Sequence, residues 1–116
     1  MSGRLKRNVS LFVLLGAVFA SAQQPGEIRG TVEDQTGALI PRAQLLLINI
    51  ETLQTWQEAG TNGGDFVFRD LPAGDYELRV AYRPFLPYGK RIRLKPDRGA
   101  AIKVVLKVDP HTKVIE

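Results

Sequence analysis

Gly64-Asp65-Phe66-Val67-Phe68-Arg69-Asp70-Leu71-Pro72-Ala73-Gly74-Asp75-Tyr76-Glu77-Leu78-Arg79-Val80 reads as a strand, a tight connection and a second strand. Strand side chains alternate between two faces, so Phe66 and Phe68 share one face of the first segment, and Tyr76, Leu78, Val80 and Tyr82 share one face of the second. Pro72 restricts φ and removes a ladder donor, while Gly74 accepts a positive φ that a residue with a Cβ resists. The stretch is therefore a built corner with an aromatic and aliphatic inner side.

Working back from the corner, Thr61-Asn62-Gly63-Gly64 is a turn cluster. Before it, Leu53 to Ala59 predicts a weaker strand carrying Trp56. The run Ala43-Gln44-Leu45-Leu46-Leu47-Ile48-Asn49-Ile50 follows Pro41 and is too short between breakers for a helix, despite its leucines. As a strand it sets Ala43, Leu45 and Leu47 on one face and Leu46, Ile48 and Ile50 on the other. The first strand is Glu27 to Glu33, with Ile28, Gly30 and Val32 alternating against charged or polar neighbours. Asp34-Gln35-Thr36-Gly37 is the turn that ends it.

Working forward, Pro84-Phe85-Leu86-Pro87-Tyr88-Gly89 is expected to be an apolar loop, since two prolines withhold ladder donors. Ile92 and Leu94 mark a sixth strand, Pro96-Asp97-Arg98-Gly99 a turn, and Ile102, Val104, Leu106 and Val108 a seventh strand. Seven short strands with turn signals about every ten residues predict an all-β, seven-stranded antiparallel β-sandwich.

Residues 1–22 have the pattern of a signal peptide. Arg4, Lys6 and Arg7 precede an apolar run from Val9 to Ala20, and Ala20-Ser21-Ala22 is a small-x-small cleavage site. A run of about twelve residues is short of the ~20 a spanning helix needs, so no stable membrane anchor is expected after cleavage behind Ala22. The expected location is secreted or periplasmic. The domain is then residues 23–108, with 109–116 as a C-terminal tail. Removing Arg4, Lys6 and Arg7 from the 16 cations leaves 13 against 12 acids, so the headline basicity belongs mostly to the leader. The remaining charge is divided: Gln23 to Leu78 is acidic, and Arg79 to Lys107 carries nine cations against Asp97 alone. An exported chain with charges alternating along strands does not read as a nucleic-acid binder.

Gly30-Thr31-Val32, Asp34, Thr36-Gly37-Ala38, Ile40-Pro41, Ala43, Asn49, Thr61 to Phe66 and Leu71 to Tyr76 together resemble the carboxypeptidase regulatory-like domain. The resemblance implies a transthyretin-like or prealbumin-like sandwich over nearly all of the chain after the leader. It also implies a non-catalytic accessory module of exported proteins, often found beside a peptidase, receptor or adhesin domain. Where the family usually carries a Gly-aromatic pair after the fifth strand, this chain has Pro84-Phe85.

The parts needed for catalysis are scarce. Cysteine is absent, serine is absent after Ala22, and His111 is the only histidine, so thiolate sites, His-based metal sites and Ser-His-Asp arrangements lack members. No catalytic residue, metal or cofactor is expected. An alternative reading is a small hydrolase or metal-dependent enzyme built near Asp70, Asp75 and His111. The other alternative is a carbohydrate-binding module using Trp56, Tyr82, Phe85 and Tyr88 as an aromatic platform.

The favoured reading is an exported binding module for a protein or glycan partner, with weak self-association as a further expectation. If Ala43, Leu45 and Leu47 point inward, Leu46, Ile48 and Ile50 leave an aliphatic stripe outside. Phe85, Leu86 and Tyr88 would extend it into a candidate binding surface, unless the tail with Val114 and Ile115 covers it.

Overall fold

The computed structural model describes residues 26–110. Residues 1–25, with the leader, and residues 111–116, with His111, Val114 and Ile115, lie outside the described part. The described part contains seven strands: β1 Gly26–Asp34, β2 Gln44–Asn49, β3 Thr55–Ala59, β4 Asp65–Leu71, β5 Gly74–Ala81, β6 Tyr88–Leu94 and β7 Ala100–Leu106. They form a two-layer sandwich, with sheet A ordered β4-β1-β7 and sheet B ordered β3-β2-β5-β6.

Alternation builds the core. Ile28 and Val32 of β1, Phe66 and Phe68 of β4, and Val104 and Leu106 of β7 meet Leu45 and Leu47 of β2, Tyr76, Leu78 and Val80 of β5, and Ile92 and Leu94 of β6. Gly30 occupies an inward position between Phe66 and Ile102, its register partners on either side. A Cβ there would lie 1.8 Å from the Ile102 carbonyl oxygen, so β1 and β7 can close on each other only around a glycine.

All ladders are antiparallel except one: β1 and β7 run parallel, from Ile28 beside Ala100 to Asp34 beside Leu106. A parallel partner requires a long crossover, here the whole intervening chain. The chain also changes sheet at the Pro72 corner, where β4 of sheet A leads into β5 of sheet B. Gly74 has φ +155 at that corner and Asp70 has φ 57.

Apart from one-residue shifts at the ends of β1 and β2, three boundaries differ from the sequence reading. β6 begins at Tyr88, so Tyr88 and Gly89 join the ladder opposite Val80 and Arg79, and the loop ends with Pro87. β3 begins only at Thr55, because Leu53 turns into the left-handed region at φ 66 and donates its N–H to the Asn49 carbonyl. β7 stops at Leu106, and Val108 instead forms an isolated bridge with Phe85. Tyr82 follows the end of β5 and is exposed, so it does not share the core with Tyr76, Leu78 and Val80.

Candidate functional site

The outer face of sheet B is built on β2. Register places Leu46 between Gln57 of β3 and Arg79 of β5, and Ile48 between Thr55 and Glu77. Flanked by these polar neighbours, both aliphatics are half-buried rather than bare. Ile50 lies just past the strand, also half-buried, with its N–H donating to the Asp75 carbonyl at 2.9 Å. Two ion pairs frame the stripe: Arg79 with Glu77 at 3.2 Å, and Arg93 with Asp75 at 2.9 Å. The Asp75 hydrogen bond and charge hold the Arg93 guanidinium above its ordinary range.

At one end of the stripe the face becomes concave. Gln44, Leu46, Gln57, Arg79, Pro87 and Tyr88 line a cavity of about 340 Å³. A second cavity of about 340 Å³ lies on the other side of the loop, lined by Leu86, Tyr88, Gly89, Val105 and Lys107. Tyr88 belongs to both. It packs against the core, and burial pushes its hydroxyl above the ordinary tyrosine value.

Of the six surface residues expected from the sequence, the structure joins Leu46 with Tyr88 at one cavity and Leu86 with Tyr88 at the other. Ile48 and Ile50 continue the stripe away from them. Phe85 lines neither cavity: it packs against the core and its ring lies 6.2 Å from that of Tyr82.

The four-aromatic platform is not assembled. Trp56 pairs in register with Leu47, which points inward, so its ring tilts over Tyr76 at 5.7 Å while Tyr82 pairs with Phe85. Asp70 and Asp75, two of the three residues of the expected enzyme site, stand in different surroundings. Asp75 is bound to Arg93 on the face of sheet B, whereas Asp70 lines a cavity of about 370 Å³ with Glu27, Arg29, Arg69, Asp97 and Arg98. His111 lies outside the described residues. Among the described residues no group of three or more His, Cys, Asp or Glu side chains is placed to hold a metal ion.

Sequence reasoning missed a larger cavity of about 570 Å³, lined in part by Arg29, Thr31, Glu58, Thr61, Asp65 and Arg69. Its walls come from β1, β3 and β4, which belong to two sheets, so no local motif announces it.

The carboxypeptidase regulatory-like domain model matches residues 27–107, from β1 through the end of β7. The chain belongs to the carboxypeptidase regulatory-like domain family. No curated protein matches the sequence. Among solved structures, this carboxypeptidase regulatory-like domain is similar in fold to the catechol 1,2-dioxygenase of Acinetobacter radioresistens, with TM-score 0.65 and 10% identity over 84% of this chain and 57% of that one. It is also similar to GBS52, the minor pilin of Streptococcus agalactiae, with TM-score 0.61 and 12% identity over 81% of this chain and 49% of the pilin. The Bacillus anthracis TIE protein gives TM-score 0.63 and 15% identity over 73% of this chain and 17% of that protein. The chain spans less than two thirds of each of these structures.

Proposed function

We propose that this carboxypeptidase regulatory-like domain is an exported, non-catalytic interaction module whose contact surface is the outer face of sheet B beside Tyr88. The observation that carries the reading is the convergence of Leu46, Gln57, Arg79 and Tyr88 on one cavity. An apolar floor with a polar and charged rim is the composition of a protein contact surface. Family membership supports an accessory role, and the dispersal of Asp70 and Asp75 supports the absence of catalysis.

The test replaces Leu46 and Ile48 together by Thr, which keeps β propensity while removing apolar area. Hydrophobic-dye binding and any self-association measured by mass in solution should fall while the fold is retained. Unchanged dye binding and unchanged mass in a folded variant would place the contact surface elsewhere. Stoichiometric zinc or iron in the purified protein, or hydrolase turnover that disappears on replacing His111, would overturn the non-catalytic reading.

A further inference from the structure

β6 is an edge of sheet B, with β5 as its one neighbour in the sheet. An edge strand presents a row of backbone N–H and C=O groups that another chain can pair with. The cations along this edge are unevenly used. Arg93 is paired with Asp75, whereas Lys90 and Arg91 are exposed and make no ion pair with any described residue. Lys95, just past the strand, and Lys107, on the rim of the cavity beside Tyr88, are exposed and likewise without an ion pair among the described residues. Lys90 stands opposite buried Leu78, a core-facing register position, yet is itself exposed.

We propose that the β6 edge receives an extended acidic segment of a partner polypeptide as an added strand, with one apolar side chain of that segment seated in the cavity between Leu86, Tyr88 and Lys107. This rests on the interaction-module reading and names the partner's chemistry. In strand addition the main chain supplies affinity and alternate side-chain pockets supply specificity, and this edge has both a row of backbone groups and a pocket at its start. Charge selects the occupant. A second copy pairing through β6 would bring Lys90 and Arg91 against cations, which opposes self-association, whereas glutamates or aspartates on an incoming strand would meet unpaired cations. The other edge of sheet B, β3, carries Glu58 and no lysine or arginine, so it lacks this complementarity.

The experiment titrates the purified protein with a synthetic peptide alternating glutamate with valine and carrying one central leucine. Backbone amide shifts and hydrogen exchange report the site. Binding should slow exchange of β6 amides, and replacing Lys90 and Arg91 together by Glu should weaken it by more than about tenfold while the fold is kept. A peptide with lysine in place of glutamate should not bind. A backbone N-methylated peptide of the same charge should bind at least about tenfold more weakly, since it cannot form the ladder. Equal binding of the N-methylated peptide would overturn strand addition in favour of a purely electrostatic patch. Shifts confined to Leu46 and Ile48 would overturn the edge while leaving the interaction module standing, and no binding at all would overturn the proposal.

Discussion

The hydroxyl of Tyr76 donates to the backbone carbonyl of Pro72 at 2.5 Å, tying β5 to the corner that delivers it. Asn49, Tyr76's register partner on β2, lies beside the same phenol, and its Oδ1 accepts from the N–H groups of Glu51 and Thr52 at 2.9 and 3.0 Å. One buried amide and one buried phenol thus secure both the β4–β5 corner and the β2–β3 turn. Burial pushes the Tyr76 hydroxyl above its ordinary value, with the Asn49 contact acting in the opposite direction.

Tyr76→Phe should therefore cost about 0.5–1.5 kcal/mol, because the Pro72 carbonyl would lose the hydroxyl that donates to it. Chemical denaturation checks this, and a midpoint equal to wild type would show that the corner does not depend on the hydroxyl.

Leu78 is fully buried at the centre of β5, between Leu47 and Lys90 in register. Leu78→Ala should cost about 2–5 kcal/mol through lost transfer energy and the cavity left behind. That is a large share of a domain stability of about 5–15 kcal/mol, so thermal unfolding should shift markedly downward. An unchanged melting temperature would contradict the packing described.

Gly30→Val tests the β1–β7 ladder. The Ile102 carbonyl lies where the new Cβ must go, and backbone cannot swing aside as a long side chain can. The expected loss is about 3 kcal/mol, the upper part of the usual overpacking range, with faster amide exchange in β7. Retained stability and exchange protection would mean the strands can separate without cost.

Asp34 gives a pH dependence. Its carboxylate accepts from the Thr36 hydroxyl at 2.6 Å, the Thr36 N–H at 2.8 Å and the Ala38 N–H at 3.1 Å, and these bonds, the Thr36 hydroxyl first, hold it below its ordinary value. A carboxylate lowered in the folded state stabilises above its unfolded pKa of about 3.9, and the contribution disappears as pH falls through the lower folded value. The melting-temperature difference between wild type and Asp34→Asn should be greatest near neutrality and shrink below about pH 4. A difference that stays constant with pH would assign the effect to something other than the carboxylate's charge.

Alternation alone determined the strands and their inner faces: Ile28 and Val32, Leu45 and Leu47, Phe66 and Phe68, and Tyr76, Leu78 and Val80 are buried as their period of two requires. The Pro72 to Gly74 corner and the Asp34 turn were equally legible, because their chemistry is local. What only the tertiary structure decided depends on pairing between distant residues. Register with Leu47 turned Trp56 inward, the return of β7 beside β1 made one ladder parallel, and the position of β6 at a sheet edge left Lys90 exposed at a core-facing register. A local pattern states which residues of a strand share a face, but the neighbour that covers that face is chosen by contacts spanning the whole chain.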